Sequence, residues 1–168
     1  MKKLLALALV IFGFSAITFA QGPVSAKASA SATIVGAMTI TNAGDLNFGN
    51  IIATGPGTVT VATNGTPTYT TGAAAYAIPG TITAAHFDVT GSPNAAYSIS
   101  TIADITVASG SDVMTVNTFV TDPALLLGKL DPSGKQKINV GATLNLATTP
   151  VAGFYTNTTG FTVTVNYN

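Results

Sequence analysis

Side chains that alternate between apolar and polar at every residue constrain this chain more than any other feature. From Val24 to Ile40 the even positions read Val, Ala, Ala, Ala, Ala, Ile, Gly, Met, Ile, while Ser25, Lys27, Ser29, Ser31, Thr33 and Thr39 fall among the odd ones. The same period recurs in Ala85, Phe87 and Val89, in Ile138 to Leu146, and in Phe161, Val163, Val165 and Tyr167. A period of two places one set of side chains on each face of an extended strand, whereas a helix repeats every 3.6 residues. No long segment carries the helical period. Threonine and valine suit a pleated, half-buried surface, and glycine and proline mark turns between strands.

A single strand from residue 24 to 40 would extend about 55 Å, well beyond an ordinary strand. The run is therefore divided into an N-terminal arm and a first core strand over 32–41, with Gly36 at a bend. Further strands are expected at 57–62, 66–71, 105–108, 113–120, 138–146 and 161–167. Residues 85–89 and 97–99 are expected to form a hairpin about the turn Gly91-Ser92-Pro93-Asn94. Asp45 to Asn50 reads as a turn around buried Leu46 and Phe48, and residues 72–80 as a loop. Pro123 to Gly128, with three leucines, reads as a helical turn or a plug into the core. Asp131-Pro132-Ser133-Gly134 has β-turn chemistry. Eight or nine short strands with turns between them predict an all-β, immunoglobulin-like antiparallel β-sandwich with Greek-key connections.

The first twenty residues read as an export signal. Lys2 and Lys3 precede an apolar run from Leu4 to Phe14, and Thr18-Phe19-Ala20 offers a cleavage site before Gln21. The run is too short to span a bilayer. A second cleavage position follows Ala26. The expected organisation is a signal peptide at 1–20, an arm at 21–31 and one β-sandwich domain at 32–168, exported to the periplasm, cell surface or medium. No membrane span is expected in the mature chain.

Composition narrows the function. The chain has no Glu, Arg, Trp or Cys and a single histidine. After the signal, four lysines face six aspartates, so nothing resembles a footprint for nucleic acid. His86 and Asp88 leave one face of a strand, as a base and its orienting group would. They also suit the wet face of a half-buried strand, and the absence of a glycine-flanked serine elbow favours that reading. The aspartates sit in turn contexts without calcium-loop spacing. No catalytic, metal or cofactor residues are expected, and the chain is read as a non-enzyme. Tyr69, Tyr76, Phe154 and Tyr155 are a sugar-stacking platform or ordinary core aromatics.

The penultimate Tyr167, with Val165, Val163 and Phe161 at alternate positions before it, resembles the C-terminal signature of pilins assembled by periplasmic chaperones and outer-membrane ushers. Where that signature carries a further glycine, this chain has Tyr155, between Gly153 and Gly160. Ala32-Thr33-Ile34 to Ile40, Asp45-Leu46-Asn47-Phe48-Gly49, Val140-Gly141-Ala142-Thr143-Leu144 and Gly153-Phe154-Tyr155 to Tyr167 resemble an exported bacterial family known only as a domain of unknown function (family 4402). They also look distantly like spore coat protein U. The resemblance implies a pilin-like structural or adhesive surface subunit, with a chaperone, an usher and further copies of itself as partners. It implies a donated strand at Val24, Ala26, Ala28, Ala30 and Ala32, and an assembly strand at Phe161, Val163, Val165 and Tyr167. The alternative is a monomeric secreted β-sandwich that binds a glycan or surface ligand through its loops.

Overall fold

A computed structural model describes residues 22–148 and 151–168. The export signal read at 1–20 lies outside the described residues. The chain divides into two units, Met1–Ile34 and Val35–Asn168. In the first, residues 22–34 form no regular element and every side chain is exposed, Val24 and Ile34 almost completely.

The second unit is built of antiparallel strands, with no helix among the described residues. They are β1 (Thr39–Gly44), β2 (Asn47–Phe48), β3 (Ile51–Ala53), β4 (Gly57–Val61), β5 (Pro67–Tyr69), β6 (Ala73–Ala75) and β7 (Ile82–Thr83). Then follow β8 (Ala85–Thr90), β9 (Ala96–Ile99), β10 (Ile105–Ser109), β11 (Asp112–Asp122), β12 (Gly128–Lys129), β13 (Lys135–Leu146) and β14 (Val165–Tyr167).

The large sheet is organised by β13. One side of this strand pairs with β11 along most of its length. Its other side pairs first with β8, from Lys135 to Val140, and then with β4, from Ala142 to Leu146. Gly141 stands at the change of partner. A Cβ there would run into the Val61 carbonyl and the Ala62 backbone, so the close approach of β4 requires glycine. β1 extends the sheet beyond β8, β10 beyond β11, and β5 beyond β4. A smaller sheet holds β9 between β12 and β14, and two ribbons pair β2 with β7 and β3 with β6.

The inward alternation of β13 fills two apolar clusters. Ile138 and Val140 join Ala85 and Val89 from the large sheet with Tyr97, Ile99, Leu130 and Val163 from the other side. Ala142, Leu144 and Leu146 join Met114 and Val116 in the second cluster. The opposite face of the large sheet is uncharged around β4. Thr60 and Thr143 share a 2.9 Å hydroxyl contact, and Thr58 and Thr70 one of 3.1 Å. Threonine thus supplies polar surface that the scarce charged residues do not.

Several expectations need correcting. The first core strand begins at Thr39, not residue 32, and residues 31–37 are exposed. The expected loop at 72–80 contains β6, and Asn47–Phe48 in the expected turn pairs with β7. The hairpin over 85–99 does not form. β8 pairs with β1 and β13, whereas β9 belongs to the smaller sheet, so Gly91 to Ala95 is a corner between sheets. The three leucines sit in a single hydrogen-bonded turn, the Leu127 N–H donating to the Ala124 carbonyl at 2.9 Å, and do not plug the core: Leu126 and Leu127 are both 74% exposed. Leu130 takes the core position instead. The Leu125 carbonyl accepts the Ile99 N–H at 2.6 Å, which ties this segment to the end of β9 through its backbone.

The turn before β13 forms as expected. Asp131 Oδ1 accepts the Ser133 N–H at 2.8 Å, the Ser133 hydroxyl at 2.7 Å and the Lys135 N–H at 2.9 Å. The Ser133 hydroxyl, followed by the Lys135 amide, holds the Asp131 carboxyl below its ordinary value. A depressed folded-state pKa contributes stability above the unfolded value of about 3.9, lost as pH falls through the folded value. Asp131→Asn is therefore expected to lower stability at neutral pH and to lie closer to the parent below pH 3. Urea midpoints at the two pH values check this; a difference that persists unchanged in acid would contradict it.

Candidate functional site: a strand edge and an open cleft

The terminal segment has one satisfied edge. β14 pairs with β9 through Val165↔Ile99, Asn166↔Ser98 and Tyr167↔Tyr97. Just before it, the Thr164 carbonyl accepts the Ser100 N–H at 2.9 Å. Among the described residues no strand pairs with the other edge of β14. The regular strand covers only Val165–Tyr167, shorter than the expected 161–167. The alternation nevertheless persists: Val163 is buried, Phe161, Val165 and Tyr167 are half-buried, and Thr162, Thr164 and Asn166 are exposed.

Phe161 packs at the head of this segment. Its ring centroid lies 4.9 Å from Phe119 and 6.0 Å from Phe87. It also lines an open cleft of about 1150 Å³ within the second unit. Met114, Val116, Leu144 and Leu146 contribute from the large sheet, Phe48 and Ile51 from the ribbons, and Leu46 from the link between β1 and β2. This is the volume of a substantial ligand or of a strand's side chains, left by inward-facing positions without a covering layer.

The aromatic residues singled out from the sequence divide. Tyr76, Phe154 and Tyr155 line the cleft, and Phe154 is 83% exposed. Tyr69 does not line it; Tyr69 belongs to β5, with its hydroxyl buried. The segment carrying Tyr155 is fixed to the edge of β10. Thr156 and Ala108 exchange both backbone hydrogen bonds, at 2.9 and 3.0 Å, and Asn157 Nδ2 donates to the Thr106 carbonyl at 2.6 Å. Nothing in the spacing of residues 76 and 154 signals that they meet.

Tyr167 has a second function that the alternation did not reveal. Its hydroxyl accepts the Ser92 N–H at 2.8 Å and donates to the Gly36 carbonyl at 2.9 Å. The Gly36 N–H in turn donates to the Ser92 hydroxyl at 2.9 Å. One side chain thus ties together the end of β14, the corner after β8 and the first residues of the domain. A Cβ on Gly91 would collide with this hydroxyl, which accounts for glycine at the corner. Tyr167→Phe removes both bonds and strands a partly buried amide, at an expected cost of about 1–3 kcal/mol. A lower urea midpoint with an unchanged m-value is the expected reading; an unaltered midpoint would contradict it.

The residues considered for chemistry lie elsewhere. His86 is half-buried, its ring against Gly44, and it lies opposite Asn139 in register; Asp88 is exposed and lies opposite Lys137. Among the described residues no group of three or more acidic, His or Cys side chains could hold a metal ion. No helix among them is long and apolar enough to cross a membrane. Val24, Ala26, Ala28, Ala30 and Ala32 are all exposed and belong to no strand.

The model of a family described as a domain of unknown function (DUF4402) matches residues 38–167. The chain is a DUF4402 protein. The match takes in β1 through β14 and ends at Tyr167, so the cleft and the edge of β14 are parts of the DUF4402 domain, whereas residues 22–34 precede it. No curated protein and no solved structure matches the chain.

Proposed function

We propose that this DUF4402 protein is an exported structural or adhesive surface subunit that self-associates by strand exchange. The observation that carries the reading is the edge of β14 that no strand occupies among the described residues, with an open cleft reached by Phe161 at the head of the same segment. An unpaired edge with apolar neighbours invites another strand, which gains backbone hydrogen bonds and seats alternate side chains. Residues 24–34 have the alternation of such a strand, with Val24 and Ile34 as its large apolar side chains. The alanines between them bury far less than the ~1.5–3 kcal/mol of a full Val or Ile, so much of the affinity comes from backbone pairing. The arrangement of β8, β13 and β11 against β9 and β14, with a corner between sheets at 91–95, supports the finer reading of an immunoglobulin-like, pilin-like Greek-key sandwich that lacks one strand. The C-terminal alternation supports a periplasmic chaperone and an outer-membrane usher as partners, and a distant kinship with spore coat protein U. The N-terminal sequence supports export.

Size-exclusion chromatography and negative-stain microscopy test this on residues 21–168 and on the same chain lacking 22–31. At high concentration the longer chain is expected to form fibres or oligomers and the shorter to stay monomeric. Fibres from the shorter chain would overturn the mechanism.

A second reading rests on Tyr76, Phe154 and Tyr155 gathering at the cleft. Exposed aromatic faces suit stacking on sugar rings, so a monomeric module binding a glycan there is the alternative. Retention of the monomer on a glycan array, lost on Phe154→Ala, would favour it.

A further inference from the structure

Exposed aromatic rings line the cleft from segments that are held in place. Phe154 is largely exposed, yet its loop is anchored on both sides. Before it, Gly153 lies so close to Ser109 that a Cβ would meet the Ser109 hydroxyl. After it, the Tyr155 hydroxyl donates to the Val151 carbonyl at 2.9 Å, and Thr156 is bonded to Ala108. Tyr76 comes from the segment after β6, where its N–H donates to the Asn50 carbonyl at 3.4 Å. Rings that are fixed but cover little of the core are a preorganised surface for a ligand. We propose that the cleft holds a neutral oligosaccharide and that Asp45 turns acidic sugars away. The inference rests on the glycan reading of the cleft and adds the class of sugar. It does not depend on the edge of β14, since none of Val165–Tyr167 lines the cleft.

The lining combines apolar side chains such as Met114, Val116 and Leu144 with neutral polar ones such as Asn47, Asn50 and Thr158. Asn50 gives its Nδ2 to the Ile78 carbonyl at 3.0 Å, which leaves Oδ1 to accept from a ligand hydroxyl. Asn47 accepts the Gly49 N–H on Oδ1 at 2.8 Å, which leaves Nδ2 to donate. Asn157 has no such freedom, because Nδ2 is spent on Thr106 and Oδ1 on the Thr159 and Gly160 amides. A sugar ring has an apolar C–H face for the aromatic rings and a rim of hydroxyls for the amides. The cleft of about 1150 Å³ exceeds the ~300–1,000 Å³ of most small-molecule pockets, so it suits several sugar units.

Charge selects among sugars. Among the described residues Asp45 is the one charged side chain that lines the cleft. Its Oδ1 accepts the Asn42 Nδ2 at 2.7 Å and its carbonyl accepts the Thr83 hydroxyl at 2.8 Å, so side chain and backbone are both held. No lysine lines the cleft and the chain has no arginine. A sugar carboxylate is bound where lysine or arginine supplies charge-assisted hydrogen bonds. Here it would meet a like charge and no cation, whereas neutral hydroxyls meet no such penalty.

A glycan array probed with labelled residues 21–168 tests this. Neutral chains of hexose and N-acetylhexosamine units are set beside chains of matched length that carry a sialic or uronic acid. The neutral chains are expected to bind, and the acidic ones to bind at least about tenfold more weakly. Phe154→Ala and Tyr76→Ala should each weaken binding of the neutral chains by about tenfold, with the circular dichroism spectrum unchanged. Asp45→Asn should raise acidic binding relative to neutral by about two- to fivefold at low salt, and by less at high salt. Equal or stronger binding of the acidic chains, or an acidic-to-neutral ratio that Asp45→Asn leaves unaltered, would overturn the inference and leave the glycan reading standing. Binding retained by both alanine variants would put the sugar outside the cleft, and no binding to any chain would remove the glycan reading; either result overturns the inference with it.

Discussion

A peptide of residues 22–35, added in excess to the isolated domain 35–168, is expected to raise its melting temperature by roughly 10 °C. The magnitude follows from mass action. A ligand at about 100 times its Kd stabilises the native state by about 2.7 kcal/mol, and about 3–4 °C accompanies each kcal/mol in a domain of this size. The domain has the core to fold without the arm: among the described residues sixteen apolar ones between Val59 and Val163 are buried, all of them within Val35–Asn168. Among the described residues no strand partners the outer edge of β14. A peptide that supplies one should be tight enough to saturate and sensitive to its few large side chains. Val24→Asp with Ile34→Asp in the peptide should abolish the shift, since a carboxylate turned toward the apolar side chains behind the terminal segment must either be desolvated or stay outside. Differential scanning calorimetry reads both, and a null shift with the unaltered peptide would contradict strand acceptance.

The second large effect concerns the strand on which both clusters depend. Ile138→Ala should destabilise the domain by about 2–5 kcal/mol, against about 0.5–1.5 kcal/mol for Ile138→Val. Ile138 is fully buried, and its strand is hydrogen-bonded on both sides. Neither neighbour can move inward to close a cavity without breaking a ladder. Against a total stability of about 5–15 kcal/mol, the alanine variant sits near the threshold of folding. Urea unfolding with a reduced midpoint and unchanged slope is the expected reading; a loss no larger than that of the valine variant would contradict it.

The legible parts of the fold are those where alternation alone decides burial. In β13 the inward set Ile138, Val140, Ala142, Leu144 and Leu146 is buried throughout, and the β10–β11 hairpin follows its Ser109 to Asp112 turn. β8 and β9 have the same local signals as a hairpin but are not one. Alternation and turn residues look alike whether the chain folds back beside itself or crosses to the facing sheet, and only the tertiary pairing of β8 with β13 separates the two. Three consecutive leucines carry no period, so their composition suggested burial while Leu130 took the core position. The C-terminal alternation located β14, but its free edge depends on which strands lie beside it. The cleft is likewise a property of missing cover, and Tyr76 and Phe154 reach it from opposite ends of the sequence.

Hydrogen exchange along the terminal strand tests the central claim most directly. In domain 35–168 the backbone amides of residues 161–167 that face the open edge should exchange rapidly, and adding the 22–35 peptide should protect them while leaving those of β13 unchanged. Equal exchange in this segment with and without saturating peptide would mean that β14 takes no strand from the arm.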